Sequence, residues 1–255
     1  MSQKSEVVSI YKPLGKSMGE LVDSFRKEQG ISTETPITYA GRLDPMAEGL
    51  VLLLVGDMVH KKDEYLGLSK EYEFECLFGF ETDTYDILGL VSNSSTSQVD
   101  EFGCELEEVK KTAQGLVGKR TQEYPAYSSK PVQGKPLFMW AREGKIKEIV
   151  IPTHEIEIYS LDFLSSREVS GATLLKEIEE KISLVHGDFR QVSILLTWQK
   201  KLAPLSEGSF SISTFRARVS TGVYIRTLVR EMGNILGTSA TTFHIVRKKI
   251  GDYSI

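Results

Sequence analysis

The stretch TYAGRLDPMAEGLVLLLVGD (38–57) sets one acid, Asp44, in a tight polar segment directly ahead of an apolar run. Residues 50–55 are short, wholly apolar and bounded by Gly49 and Gly56, the pattern of a buried strand. A carboxylate held against such a strand loses part of its hydration. It stays ionised only with a cation or hydrogen-bond donors close by. Two readings of Asp44 follow. It can open a turn, because Asp-Pro is a common turn dipeptide. It can also act as a nucleophile, because less water competes with a substrate for its oxygens.

Working outward, Ser17 and Glu20 form a capping box that starts a helix, and Gly30 is a stop. A polar loop is expected from Gly30 to Asp44. Asp57 is placed to cap a helix reaching about Leu66. Residues 70–78 (KEYEFECLF) alternate polar and apolar and read as a half-buried strand. Residues 105–116 read as an amphipathic helix, and 134–142 as a short helix after a proline-rich loop. Alternation returns at 149–164 and 210–219, which predicts two more strands. A helix over 224–236 ends at Gly237, and 243–250 is a last strand. SNSSTS (92–97) reads as a polar loop, and no repeat or strong boundary divides the chain, so a single domain over 1–255 is expected. Strands and helices follow in no fixed rhythm. That predicts an α+β fold with a largely antiparallel, mixed sheet flanked by helices.

Hydrophobic residues make up 40% and charged residues 26% of the 255, ordinary values for a globular protein. No apolar run is long enough to span a membrane and the N-terminus lacks a signal-peptide core, so a cytoplasmic protein is expected. Two cysteines, Cys76 and Cys104, cannot build a disulfide framework, and no Cys/His spacing suggests zinc. No phosphate loop, dinucleotide fingerprint or serine-nucleophile elbow is present. His60, His154, His186 and His244 are scattered and read as structural or exposed. The chemistry is left to carboxylates, tyrosines and arginines. The net charge of −4 conceals asymmetry: residues 109–150 carry nine bases against three acids, and 200–255 repeat that ratio. Such segments either decorate solvated faces or meet a phosphate backbone.

The stretch around Asp44 resembles the catalytic motif of pseudouridine synthases, specifically the TruB family, which modifies uridine 55 in the T loop of tRNA. Four further stretches match that family in the same order: YKPLGKSMGELV (11–22), KEYEFECLFGFETDTYDILG (70–89), QEYPAYSSKPVQGKPLFMWAREG (122–144), and VSTGVYIRTLVREMGNILG (219–237) with IVRKKIG (245–251). The resemblance implies the pseudouridine synthase fold and an isomerase that needs no cofactor and no metal. It implies Asp44 as nucleophile and Tyr72 as the tyrosine that lies on the target base and takes part in proton removal. Arg226 would pair with Asp44, Tyr224 would line the same pocket, and Val246 would pack under the base. Lys12, Lys130 and Arg142 would lie near the RNA or the substrate pocket, as RNA-binding residues. Tyr39 would fill the gap left by the extruded base, with Tyr124 and Tyr127 as further stacking candidates. The implied partner is the T stem-loop of tRNA, and a monomer is expected.

Three departures bear on the substrate. Tyr39 stands where the family generally has histidine. Arg42 stands where it usually has threonine, giving the GRLD form of synthases that act on ribosomal RNA. The last matching strand is followed by only a few residues, where many relatives carry an RNA-binding PUA domain; lower tRNA affinity, or a substrate that needs only the stem-loop, is expected. Alternatives are therefore a ribosomal RNA synthase or a non-catalytic RNA-binding or RNA-folding protein. Residues 165–208 read as an extra, family-variable insertion. Its amphipathic stretch ATLLKEIEEKISLVHG (172–187) suggests a structural role, while Lys200 and Lys201 leave RNA contact open.

Overall fold

The computed structural model describes residues 5–94 and 105–255. Part of the polar loop read at 92–97 lies outside them, as do Asp100, Glu101 and Cys104.

The strands are β1 (Glu6–Lys12), β2 (Ile37–Tyr39), β3 (Ala47–Val55), β4 (Lys70–Phe78), β5 (Phe80–Thr82), β6 (Val91–Ser94), β7 (Gly118–Glu123), β8 (Pro131–Val132), β9 (Lys135–Pro136), β10 (Thr153–Ser170), β11 (Ser209–Val219), β12 (Ala240–Ile250) and β13 (Tyr253–Ser254). The α-helices are α1 (Met18–Glu28), α2 (Lys62–Gly67), α3 (Leu106–Gly115), α4 (Leu137–Arg142), α5 (Gly171–Ser183), α6 (Gln191–Leu202) and α7 (Ile225–Ile235). The main sheet has the order β1-β3-β12-β4-β11-β10-β7, with β2 added to β3 and β13 to β12. Among the described strands of this sheet only β3 and β12 run parallel; the other pairs are antiparallel. This is the α+β class with a mostly antiparallel mixed sheet.

The apolar run that opened the reading is a strand covered on both faces. Val51, Leu53 and Val55 enter one core, while Leu50 and Leu52 enter another. Successive side chains point to opposite faces, so a doubly covered strand has no polar position to offer. The larger core receives Leu21 from α1, Val109 from α3 and Leu228 and Met232 from α7. Its β4 members are Phe74, Cys76 and Phe78, whereas Leu77 serves a second core built around α5 and α6.

The capping box at Ser17 and Glu20 forms with both of its hydrogen bonds. Several boundaries move. The strand at 50–55 begins earlier, at Ala47, and contains Gly49 at φ +113°, where a Cβ would meet the Arg247 backbone oxygen at 2.4 Å. Glycine is what lets β3 and β12 approach. Residues 70–78 are more than half buried, because β4 lies between β12 and β11 and its last three residues are covered. The expected polar loop before Asp44 holds β2. Asp57 does not cap an α-helix. Gly56 donates to the Pro36 carbonyl, the chain leaves β3 in a 3-10 helix over Gly56–Lys61, and the Asp57 carboxylate accepts from the Ser5 hydroxyl instead. At 134–142 the helix starts only at Leu137. The preceding residues form the β8–β9 hairpin, with Gln133 and Gly134 both at positive φ.

The extra segment also differs from its reading. β10 continues through Ser170, so residues 165–170 belong to the main sheet and pair with β11. The helical remainder buries Leu174, Ile178, Ile194 and Trp198 against Leu77, Phe80, Phe210 and Phe243. No helix among the described residues is long and apolar enough to cross a membrane.

Candidate active site

Asp44 lies in the loop between β2 and β3, where its backbone and its side chain take different parts. Its backbone opens a turn: the Asp44 carbonyl accepts from the Ala47 amide at 3.0 Å, with Pro45 at the second position. Its side chain is left free to point into a cavity of about 930 Å³, within the size range of small-ligand sites.

The loop is held from below by two buried cations. Arg247 donates from Nε to the Leu50 carbonyl at 2.7 Å and from Nη2 to the Gly41 carbonyl at 3.0 Å. Lys12 donates to the Ala47 carbonyl at 2.6 Å and to the Pro13 carbonyl at 3.2 Å. Burial pushes the Lys12 ammonium down to about 8. Lys70, on the cavity wall, donates to the Leu66 and Leu68 carbonyls, and burial with the nearby Arg247 charge brings it also to about 8.

Behind Asp44 stands Arg226, in the first turn of α7. Nε donates to Asp44 Oδ2 at 2.8 Å, Nη1 to the Thr84 carbonyl at 2.6 Å and Nη2 to the Tyr127 carbonyl at 3.2 Å. A second carboxylate, Asp86, lies 3.7 Å from Nε. Its Oδ1 accepts from the Thr84 hydroxyl at 2.7 Å and the Leu88 amide at 3.0 Å. Burial drives the Asp86 carboxyl up to about 6 against the pull of Arg226. For Arg226, burial works against the charge, but the Asp44 and Asp86 anions outweigh it and the guanidinium is held more firmly protonated. The Arg226 side chain is 3% exposed and that of Asp44 35%. The cation is thus sealed in while its acid faces the cavity.

Tyr72 on β4 and Tyr224 at the start of α7 line the cavity with Asp44 and Arg226. Burial, then the Asp44 charge, raises the Tyr224 phenol. Arg142 is at the exposed rim, donating to the Asp188 carbonyl at 3.0 Å. Lys130 sits 5.1 Å above the Tyr124 ring, and Tyr124 stacks on His154 with centroids 4.1 Å apart. Tyr39 meets Arg42, whose Nη2 donates to its hydroxyl at 3.3 Å, and Lys62 lies 5.9 Å from its ring. Tyr127 lines the cavity and donates to Asp83 Oδ2 at 3.1 Å.

Two expected placements need correction. Val246 does not line the cavity; its neighbour Ile245 does, and alternation along β12 turns the Val246 side chain to the other face. Lys12 is not an RNA contact. It is 0% exposed, because a lysine on β1 opposite Gly49 can reach the Ala47 carbonyl only through the interior. Three contributors escaped sequence reading: Asp86, Arg190 and Arg247. Asp86 lies inside the quoted TDTYD run, so an acid spaced two residues after a threonine was its signal. Arg247 lies inside the quoted IVRKKIG run, while nothing local marked Arg190.

The histidines match their structural reading where partners are described: His154 meets the Gly222 carbonyl, His186 meets Glu20, and His244 meets Glu48.

Comparison with known proteins bears on this arrangement. Residues 30–187 match the model of the TruB family pseudouridylate synthase N-terminal domain. The tRNA pseudouridine synthase B of Thermotoga petrophila is 31% identical over 254 residues, covering 99% of this chain and 65% of that protein. That of Thermosipho melanesiensis is 30% identical over 251 residues, covering 97% and 64%. The tRNA pseudouridine synthase 4 of Saccharomyces cerevisiae is 26% identical over 295 residues, covering 99% and 72%. The chain thus spans just under two thirds of the length of the first two. Among solved structures, a chain in a Cbf5-Nop10-Gar1 complex superposes with a TM-score of 0.59 at 15% identity, covering 99% of this chain and 50% of that one, which is a likeness of fold.

Proposed function

The chain belongs to the TruB family of pseudouridylate synthases, and from that we propose that it isomerises uridine 55 in the T loop of tRNA to pseudouridine, with Asp44 as nucleophile. The observation that carries the reading is the Asp44–Arg226 pair: a carboxylate open to a cavity, backed by a sealed guanidinium 2.8 Å away. The reaction breaks the N1–C1′ bond, turns the uracil and joins C5 to C1′; C5 loses its proton to water and N1 takes one up. It is redox-neutral. Asp44 attacks either C1′ of the ribose or C6 of the base. Arg226 pairs with it and fixes the direction of its free oxygen.

Tyr72 and Ile245 offer an aromatic and an aliphatic wall to a flat base. Tyr72 takes part in removing the C5 proton. Extruding the base from a folded loop costs a few kcal/mol, which phosphate contacts offset. Arg42 and Arg142 line the opening for that purpose, Lys130 is a further phosphate contact, and Tyr39 takes the gap in the RNA stack. The protein works as a monomer on the T stem-loop, in the cytoplasm.

The test is a T stem-loop RNA tritiated at uracil C5. Wild type releases tritium to water and Asp44→Asn does not. Release by the mutant would remove Asp44 from the reaction. Release only from ribosomal RNA fragments would select that substrate class, and binding without release from any RNA would select a non-catalytic binder.

A further inference from the structure

The loop over residues 83–88 does two things for the site: Thr84 offers its carbonyl to Arg226, and Asp86 stands as its second anion. What holds this loop is the helical segment between β10 and β11. Arg190, at the start of α6, places Nη1 2.8 Å from Asp83 Oδ2 and Nη2 3.3 Å from Asp83 Oδ1. Its guanidinium also lies 4.8 Å from the Tyr127 ring centroid, and the Tyr127 hydroxyl donates to the same Asp83 carboxylate. At the other end of the loop, the fully buried Trp198 of α6 donates from its indole nitrogen to the Ile87 carbonyl at 3.0 Å. One helix thus grips the loop on both sides of Thr84 and Asp86, and through Tyr127 it also reaches the second carbonyl that accepts from Arg226.

Arg190 pursues this geometry from a left-handed backbone, φ +65° and ψ +25°, which non-glycine residues rarely adopt. Gln191 secures the turn by donating to the Val185 and Gly187 carbonyls. Both guanidinium edges that meet Asp83 are satisfied in a planar, two-point pair, so this arginine is committed to the protein.

We propose that Arg190 is a positioning residue: through Asp83 and Tyr127 it fixes the two carbonyls that orient Arg226, and so sets the direction of the Asp44 carboxylate. The helical segment is then part of the catalytic apparatus as well as of the core. This inference rests on the reading of Asp44 as the nucleophile.

The experiment compares Arg190→Ala, Arg190→Lys, Asp83→Asn and Asp44→Asn in the full chain on a tritiated T stem-loop, under single turnover, with RNA affinity measured by filter binding. Arg190→Ala lowers the rate by roughly 10- to 100-fold while RNA affinity stays within about twofold, because small misplacements of a reacting group are costly. Arg190→Lys falls between wild type and alanine, since a lysine supplies the charge without the fork. Asp83→Asn, which tests the pair from its other end, matches the alanine variant. The control is Arg167→Ala, which breaks the two-point pair with Glu177 in the same region of the fold. It lowers Tm but leaves the rate alone. An unchanged rate in Arg190→Ala would overturn the proposal, as would an equal rate loss in Arg167→Ala. A loss of affinity alone, with a shallower salt dependence, would make Arg190 an RNA contact instead. Full activity of Asp44→Asn would sink the catalytic reading itself; full activity of Arg190→Ala beside an inactive Asp44→Asn would sink only this inference.

Discussion

Arg226 and Asp44 meet at 2.8 Å across 182 positions of sequence, and only the acid is open to the cavity. The arginine has no other way to be solvated: its remaining nitrogens are spent on the Thr84 and Tyr127 carbonyls. Removing it leaves two carboxylates facing each other without a counter-charge. Arg226→Ala is therefore expected to lose about 3–5 kcal/mol of stability, as breaking a buried ion pair does, and all measurable tritium release. Asp44→Asn is expected to lose release with a Tm within a few degrees of wild type, because Asp86 still accompanies the guanidinium. Urea titration and the release assay on both variants check this. A stable, active Arg226→Ala would contradict it.

Asp86 makes stability depend on pH in a definite window. Its carboxyl is raised from the ordinary 3.8 to about 6, chiefly by burial. Between those values the folded chain binds a proton that the unfolded chain does not. Its stabilising contribution is thus fully present below 3.8 and lost as pH rises through about 6. Relative to Asp86→Asn, wild type should gain about 2 kcal/mol on going from pH 7 to pH 4. Paired urea titrations across that range read the difference. A constant gap between the two proteins would mean that Asp86 is not desolvated.

Lys12 and Arg142 are both cations in matched family segments, yet they should behave oppositely. Lys12 is sealed and donates to the Ala47 carbonyl. Lys12→Ala should cost about 2–4 kcal/mol through a cavity and an unpaired carbonyl, with the salt slope of RNA binding unchanged. Arg142 is at the rim and exposed. Arg142→Ala should leave Tm nearly unmoved and reduce the salt slope by about one. Denaturation curves and binding isotherms at several salt concentrations separate the two. A shallower slope in Lys12→Ala would contradict its burial.

At Gly49 the backbones of the parallel strands β3 and β12 approach closely. Its φ is +113°, and an added Cβ would lie 2.4 Å from the Arg247 backbone oxygen and 2.7 Å from its nitrogen. Neither atom can move without breaking the β3–β12 ladder. Gly49→Ala is expected to lose more than about 3 kcal/mol, the range of combined strain and overpacking. Gly30→Ala, with nothing within 4 Å, should lose less despite its own positive φ. Comparable losses would refute the close-approach argument.

Much of the molecule was legible in residues alone. The capping box at Ser17, the buried strand ahead of Val55, the alternation at 70–78 and the helix ending at Gly237 are local patterns, and local patterns follow from backbone geometry and burial periodicity. Asp44 was conspicuous for the same reason: a charge abutting an apolar run is visible within a few residues. What sequence could not decide is which distant groups meet. Val246 and Ile245 differ only in which face of β12 they occupy, and a one-residue step exchanges the faces. Lys12 looks like any surface cation until β1 is laid against β3 and its ammonium is forced inward. Asp86 becomes a second anion on Arg226, and Arg190 a brace on Asp83, only when α6 and α7 converge on the loop between them. Short-range order is written in spacing along the chain, whereas the charge environment of Asp44 is a sum over through-space distances that no spacing encodes.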